Sequence, residues 1–327
     1  MNSFPDTELA RVTEATARRV MPLSGRNNKD GADQLAVDAM RAGLEELPWH
    51  FRVVLGEGGK DQAPMLYSGE HLGLQKHNLE SPVIDLVVDP LECTTNFARG
   101  LPDSMSVLLA IEQDHVQLLP GTYMQQMLLP PSAAHLLQDK IDLDTPVAQV
   151  LEYTAQALHL RVADLVVVVQ NRPRHKELIA QIRALGAGVS LIESGSISAG
   201  YELIAGRSQR THLLWGIFGA PEALILAFMA RQAGCGFMAR MAPHDDVSAR
   251  ETRELNLEGR ILHARDLVHG AGVLVMSGIH GSSWLRGVEA LSWSRKHQFR
   301  VHSLFWKQER PVLLVHIDGD LVDIQTL

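Results

Sequence analysis

The segment from Val83 to Thr94, with the sequence VIDLVVDPLECT, decides the fold. It begins as a run of apolar, mostly β-branched residues, which predicts a buried strand. The run ends on two carboxylates, Asp89 and Glu92, on either side of a proline, and the hydroxyl of Thr94 follows. An α/β protein commonly builds a metal or phosphate site where a strand delivers polar side chains to its carboxyl end. The segment therefore predicts such a site at this edge of a sheet.

Asp85 lies within the same apolar run. The two-residue period of a strand places it on the same face as Val87 and Asp89. A carboxylate that is buried in an apolar strand needs a partner. We therefore expect Asp85 to support the site or the fold rather than to bind the ligand directly.

The composition of the 327-residue chain is that of a globular protein, with 46% hydrophobic and 21% charged residues. The net charge of −8 gives no basic surface, so nucleic acid is not expected as a partner. Two cysteines, Cys93 and Cys235, make no disulfide framework, which favours a reducing cytoplasm. No apolar run reaches the roughly 18 residues that span a bilayer, and no signal peptide is visible. We expect a cytoplasmic protein without membrane contacts.

The first half, residues 1–160, predicts an α+β arrangement that carries the metal site. Helices are predicted over 7–20 and 146–159, and a further helix, marked by the apolar residues from Leu35 to Leu44, has Asp33 in its first turn. Further strands are predicted over 51–55, 106–111 and 116–119. The last two strands are expected to pair as a hairpin. Strand 51–55 leads into a glycine-rich loop with Glu57 and Asp61, which is either a flexible tip or part of the site.

The second half, residues 161–327, predicts an α/β arrangement that binds substrate and packs with the first half as one compact unit. Strands are predicted over 165–169, 189–192, 213–218 and 272–276, with helices between them, and the last fifty residues predict antiparallel strands. Residues 244–268 predict a solvated helix. The fifteen histidines show no ligand spacing, so none is assigned to a metal.

Five carboxylates share one context, the end of a strand or the start of a helix: Asp33, Glu57, Asp89, Glu92 and Glu222. Asp33 and Glu222 also have a simpler interpretation, because an acidic residue in the first turn stabilises a helix. Together, however, the five predict one site. Oxygen ligands without His or Cys favour Mg²⁺ or Mn²⁺ over zinc, and clustered carboxylates repel one another unless cations lie between them.

Such a set of ligands suits metal-assisted hydrolysis of a phosphate ester. Thr94 and Asp61 are placed to orient the attacking water. Lys29, Arg172 and Arg174 are placed to hold a phosphate, and arginine can do so with two hydrogen bonds. Arg174 has a second interpretation, as a salt-bridged residue in the first turn of a helix.

Five motifs occur in an order that resembles the GlpX-type class II fructose-1,6-bisphosphatases. They are Gly56-Glu57-Gly58, APMLY at 63–67, DPLECT at 89–94, PRH at 173–175 and GAPE at 219–222. The resemblance covers nearly the whole chain and weakens after about residue 240. It implies the layered α/β/α/β/α sandwich of the lithium-sensitive sugar phosphatases. It also implies hydrolysis of the 1-phosphate of fructose 1,6-bisphosphate with Mn²⁺ or Mg²⁺, by a homo-oligomer such as a dimer.

The same resemblance assigns the site residues. The family's metal-ligand carboxylates fall on Asp33, Glu57, Asp89, Glu92 and Glu222. Its catalytic residues fall on Glu57, Asp61 and Thr94, and its substrate-binding residues on Lys29, Thr94, Tyr123, Arg172 and Arg174.

The chain departs from the family pattern at three places. Cys93 stands where the family usually has glycine, which tolerates positive φ and leaves room beside the metals. Ser194 and Ser196 replace the two aspartates of the family's substrate-binding Asp-Gly-Asp motif, so two charged hydrogen-bond acceptors become hydroxyls. The loop after Arg240 is short. These departures indicate a divergent paralogue.

Two alternatives to the fructose-1,6-bisphosphatase activity follow from the departures. The serines favour a phosphatase for another sugar or polyol phosphate, such as sedoheptulose 1,7-bisphosphate. Cys93 favours a weakly active regulator that binds sugar phosphates. Retention of all five acids argues against the regulator, because a pure binding protein has little need of a complete metal site.

Overall fold

A computed structural model describes residues 7–56, 66–206, 210–291, 298–307 and 310–326. The helices are α1 (Thr7–Val20), α2 (Lys29–Glu45), α3 (Thr94–Arg99), α4 (Leu136–Asp139), α5 (Val147–Ala157), α6 (Lys176–Ala184), α7 (Ile197–Ile204), α8 (Ala220–Ala233), α9 (Asp246–Glu254) and α10 (Ala264–Leu267). The strands are β1 (His50–Leu55), β2 (His71–Leu72), β3 (Val83–Glu92), β4 (Met105–Glu112), β5 (Tyr123–Leu129), β6 (Val166–Gln170), β7 (Gly188–Ile192), β8 (Leu213–Gly219), β9 (Gly236–Met241), β10 (Leu262–His263), β11 (Gly272–Gly278), β12 (Glu289–Ala290), β13 (Phe299–Trp306), β14 (Val312–Ile317) and β15 (Asp320–Thr326).

The chain divides into two compact units. The first comprises Met1–Val116 and Gly270–Leu327, and the second comprises Gln117–His269. This division differs from the predicted halves that meet at residue 160. The difference arises because β11 to β15 return to the sheet of the first unit, where β11 pairs with β4. Pairing between strands so distant in sequence leaves no local signal.

The sheet of the first unit has the order β15-β14-β13-β11-β4-β3-β1-β2, and β12 pairs with β13. β4 lies between β3 and β11, antiparallel to both. The predicted hairpin of 106–111 with 116–119 is therefore wrong, and residues 117–120 lie outside the strands. Leu9 of α1 and Met40 of α2 join the apolar side chains of β1, β3 and β4 in one core.

Strand β3 continues through Pro90 to Glu92, four residues beyond the apolar run that ends at Val88, and all of it after Val83 is buried. Its register against β4 shifts between Asp89 and Glu92. Such an irregularity accommodates a proline, which has no N–H to donate to the ladder. Asp89 and Glu92 thus lie within the buried end of the strand rather than beyond it.

The sheet of the second unit has the order β10-β9-β5-β8-β6-β7. β6 is parallel to β7 and β8, and β5 is antiparallel to both β8 and β9. Four strands, β7, β6, β8 and β9, therefore run in one direction and end at the same edge. Helices α5 and α6 share a core with β6 and β8. The predicted mixed α/β class with two sheets is confirmed.

None of the helices in the described part of the chain is long and apolar enough to cross a membrane.

Candidate active site

The hydroxyl of Thr94 joins two helices of the first unit. Thr94 Oγ1 donates a hydrogen bond to Asp33 Oδ1 at 2.9 Å and lies 3.0 Å from the carbonyl oxygen of Leu91. Asn28 caps α2, since its side chain accepts from the backbone N–H of Gly31, so this helix begins at Lys29, about one turn earlier than predicted. Asp33 consequently lies one turn inside α2, where it can face the start of α3.

Burial raises the pKa of Asp33 to about 6, and the hydrogen bond from Thr94 partly offsets this. Desolvation disfavours the charged form of a carboxyl, and a nearby cation favours it. The position of Asp33 is therefore one in which a bound cation would stabilise the carboxylate.

Lys29 lies one helical turn before Asp33 on α2. Its ammonium donates to the hydroxyl of Thr95 at 2.8 Å. The predicted phosphate-binding lysine, the predicted ligand Asp33 and the predicted catalytic Thr94 thus lie together, although the two helices that carry them are far apart in sequence.

Cys93 connects β3 to α3 in the left-handed region, with φ of 64° and ψ of 41°. Its backbone N–H donates to Glu92 Oε2 at 3.2 Å, and its thiol is buried. This is a conformation that the glycine usual in the family would adopt without strain. A residue with a Cβ pays roughly 1–2 kcal/mol for this conformation, which glycine adopts freely.

Asp85 has a supporting role in the structure, as predicted. Arg52 donates to both of its carboxylate oxygens at 2.8 Å, and the backbone N–H of Asp114 donates to Oδ2 at 2.8 Å. Its charge is therefore compensated within the sheet.

The metal-binding set is only partly described. Asp89 and Glu92 are buried at the end of β3, whereas Glu57 and Asp61 lie outside the described residues. Among the residues that the structure describes, no three His, Cys, Asp or Glu side chains come together as a metal site. The described members of the predicted set, Asp33, Asp89, Glu92 and Glu222, offer only hard oxygens, which fit Mg²⁺ or Mn²⁺. The five-carboxylate set stays a prediction.

In the second unit, the predicted substrate-binding residues meet at one edge of the sheet. Ser194 and Ser196 follow β7, and Arg172 and Arg174 follow β6. Glu222 lies in the first turn of α8, which follows β8 directly. Tyr123 begins β5 and pairs with Gly219, the last residue of β8. The parallel strand ends explain why residues spread over 100 positions come to one place.

Arg174 packs over Tyr123, with the guanidinium carbon 4.6 Å from the ring centroid. The same guanidinium donates to the carbonyl of Ile217 at 2.8 Å and to the side chain of Gln170 at 2.7 Å. Desolvation lowers the pKa of Arg174, and Tyr123 opposes that shift. Arg174 lines a cleft of about 250 Å³ with Gln125, so it is fixed yet accessible.

His175 holds the turn that presents Arg174, and sequence reasoning missed this role. The buried imidazole has Nδ1 2.8 Å from the carbonyl oxygen of Gln170, and Nε2 accepts from the N–H of Ile217 at 2.7 Å. The ring is therefore neutral with its proton on Nδ1, and burial lowers its pKa. A Cβ at Gly216 would approach Nε2 to 3.1 Å, so glycine there permits the contact.

Glu222 folds back over the end of β8. A Cβ at Gly219 would come so close to this carboxylate that the Glu222 side chain would have to move. Ser194 and Ser196 flank Gly195, which has φ of +65°, and Ser196 is buried just before α7. The predicted roles of these three residues are not tested by this geometry.

His244 is a further residue at this edge that sequence reasoning assigned to a solvated helix. Helix α9 begins only at Asp246, so His244 lies in the connection after β9. Its ring lies edge-on to that of Tyr123, with centroids 5.4 Å apart. The one signal for it is positional, because β9 ends three residues earlier, and the direction of β9 cannot be read from sequence.

Comparison with known proteins gives a consistent result. A family model described as bacterial fructose-1,6-bisphosphatase, glpX-encoded, matches residues 5–316. The D-fructose 1,6-bisphosphatase class 2/sedoheptulose 1,7-bisphosphatase of Synechococcus sp. (strain JA-3-3Ab) is 35% identical over 337 positions, covering 95% of each chain. The protein of the same description from Synechococcus elongatus (strain ATCC 33912 / PCC 7942 / FACHB-805) is 34% identical over 338 positions, covering 96% of each.

Among solved structures, the extragenic suppressor protein suhB from Bartonella henselae is similar, with a TM-score of 0.34 and 14% identity. The match covers 64% of this chain and 75% of that protein.

Proposed function

The chain belongs to the glpX-encoded bacterial fructose-1,6-bisphosphatase family, and we propose that it hydrolyses the 1-phosphate of fructose 1,6-bisphosphate to give fructose 6-phosphate and phosphate. The observation that carries the assignment at the level of the site is the hydrogen bond from Thr94 to Asp33. It joins a hydroxyl suited to orienting water to a carboxylate suited to holding a cation.

The family is one of metal-dependent phosphatases, and Mn²⁺ or Mg²⁺ is the proposed cofactor. Asp33, Glu57, Asp89, Glu92 and Glu222 are the proposed ligands. When bound, the ions would supply positive charge that polarises the phosphoryl oxygens and stabilises the leaving oxygen.

The residues around Thr94 would prepare the attack. Thr94 is held by Asp33 on one side and Leu91 on the other, so its oxygen can accept a hydrogen bond from water in a fixed direction. Asp61 is the proposed base that takes the proton of this water. Lys29, one turn from Asp33, would hold the phosphate by charge.

The polar edge of the second unit is also proposed to bind the sugar phosphate. Arg174 keeps its guanidinium over Tyr123, and Arg172 precedes it by two residues. Both arginines are proposed to hold a phosphate, and Tyr123, Ser194 and Ser196 to contact the sugar.

Sedoheptulose 1,7-bisphosphate is the second candidate substrate, or another sugar or polyol phosphate. Ser194 and Ser196 favour it, because hydroxyls replace the charged acceptors of the family pattern. The Synechococcus relatives carry both activities in their descriptions. Cys93 favours the third candidate, a weakly active regulator.

Two further properties are proposed from the family and composition. The protein is proposed to form a homodimer, which light scattering of the purified chain can measure. A cytoplasmic location is proposed because Cys93 and Cys235 are both free thiols.

The experiment that tests the proposed function is phosphate release by metal-stripped protein before and after metal is restored. We expect release from fructose 1,6-bisphosphate only when Mn²⁺ or Mg²⁺ is added. Equal release in the presence of excess chelator would contradict the metal-dependent activity.

A further inference from the structure

The connection that follows β9 brings an unassigned histidine to the predicted substrate edge. β9 ends at Met241, and the N–H of Ala242 donates to the carbonyl of Tyr123 at 2.9 Å. Because β9 runs in the same direction as β8 and β6, its connection emerges at the edge that also carries Glu222 and Arg174. His244 thus lies at the sheet edge that carries the predicted substrate-binding residues.

The imidazole of His244 is held in a fixed orientation. Thr122 Oγ1 lies 2.8 Å from Nδ1, and Thr122 itself is buried at 6% exposure. Nε2 lies 3.4 Å from Asp245 Oδ2. Asp245 is fixed in turn, because its other oxygen accepts from the N–H of Ser248 at 2.8 Å as the cap of α9. When the Thr122 hydroxyl donates to Nδ1, the proton of the neutral ring is on Nε2, the nitrogen that faces solvent near Asp245.

The aromatic ring of Tyr123 connects His244 to the arginine of the site. Arg174 lies over the face of this ring at 4.6 Å, and His244 meets the ring edge-on at 5.4 Å with an interplanar angle of 81°. The side chain of His244 remains 52% exposed, so a ligand can reach it.

We propose that His244 is a substrate-binding residue that donates a hydrogen bond from Nε2 to a phosphate oxygen of the sugar bisphosphate, beside Arg174 and Tyr123. The proposal rests on the proposed phosphatase function. Thr122 is then a positioning residue, because it acts only by holding Nδ1.

The test is steady-state kinetics with fructose 1,6-bisphosphate on the full-length protein with metal present. We expect His244→Gln to raise KM about tenfold and to leave kcat within about twofold, as removal of a binding contact away from the reacting atoms does. Thr122→Val should raise KM less. In the His244→Gln background, Thr122→Val should have no further effect, because its only role here is to hold the histidine.

The matched control is His135→Gln. His135 is an exposed histidine of the same unit that follows the opposite end of β5, and its replacement should leave both constants unchanged. An active protein whose KM is the same in His244→Gln as in the wild type would overturn the proposal. A fall in kcat alone would overturn it as well. Failure of the wild type to release phosphate would instead contradict the proposed function, so the two failures are distinguishable.

Discussion

Thr94 and Asp33, on two separate helices, are joined by a 2.9 Å hydrogen bond from Oγ1 to Oδ1. The bond fixes the hydroxyl that follows the strand carrying Asp89 and Glu92. It also ties the start of α3 to the helix that carries Lys29.

Removing this hydroxyl is expected to impair the chemical step. Thr94→Val keeps the shape of the side chain and should lower kcat about 10²-fold or more, because the attacking water loses its hydrogen-bonding partner. Thr94→Ser retains the hydroxyl and should stay within about tenfold of the wild type. Phosphate release under saturating substrate and metal measures both. Equal rates in the valine and serine variants would remove Thr94 from the catalytic step.

Cys93→Gly is expected to stabilise the protein and to speed turnover. Glycine relieves the positive-φ strain but is more flexible when unfolded, so the net gain in unfolding free energy should be about 1 kcal/mol. Cys93→Ala is the matched control, since it removes the thiol and keeps the strain. If Cys93→Gly and Cys93→Ala behave alike, the thiol matters and the backbone does not. An unchanged turnover in Cys93→Gly would dismiss Cys93 as an obstruction.

Substrate preference is expected to change when a negative charge is introduced at position 194. Ser194→Asp restores the acidic acceptor of the family pattern and should raise the kcat/KM ratio of fructose 1,6-bisphosphate to sedoheptulose 1,7-bisphosphate by about tenfold. Ser194→Asn introduces a side chain of the same size as aspartate but without its charge, so it should shift the ratio less. Ser196→Asp is a poorer test because Ser196 is buried and a charge there destabilises the fold. A ratio that is identical in all three proteins would separate this position from specificity.

His175 is expected to make the fold sensitive to acid. Its folded pKa lies below the ordinary value of 6.5, so between these two values the unfolded chain binds a proton that the folded chain does not. The contribution of His175 to the free energy of unfolding is fully present above pH 6.5 and is lost as the pH falls toward the folded pKa. His50, His212 and His302, whose pKa values burial also lowers, act in the same direction.

Denaturant unfolding at pH 7.5 and pH 5.5 measures this effect. His175→Asn keeps a donor for the Gln170 carbonyl but leaves the Ile217 N–H without its acceptor, which costs about 1–3 kcal/mol at pH 7.5. The variant should lose less stability on acidification than the wild type. A loss equal to that of the wild type would show that His175 does not contribute to the pH dependence.

The local sequence predicted most of the helices and strands because apolar periodicity reflects burial directly. It put Asp33 in the first turn of α2, whereas the helix begins one turn earlier, because Gly31 and the charged residues after Asn28 give that turn no apolar pattern. It predicted the wrong partner for the strand at 106–111. In the structure that strand pairs with β3 and β11, and β11 is distant in sequence.

The candidate site shows the same division between local and remote information. Carboxylates at strand ends were visible in the sequence, and so was the replacement of the family's glycine by Cys93. His175 and His244 were not, since their roles depend on Ile217 and Tyr123, which reach them only through sheet pairing. Residues that act through a neighbouring strand carry no signature in their own segment.

The most direct test of the account is the product formed from fructose 1,6-bisphosphate by the wild-type protein with Mn²⁺ or Mg²⁺. Phosphate and fructose 6-phosphate are measured in the same reaction, the sugar by a coupled isomerase and dehydrogenase assay. The account predicts equal amounts of the two. Release of fructose 1-phosphate, or no phosphate release with either metal, would contradict it.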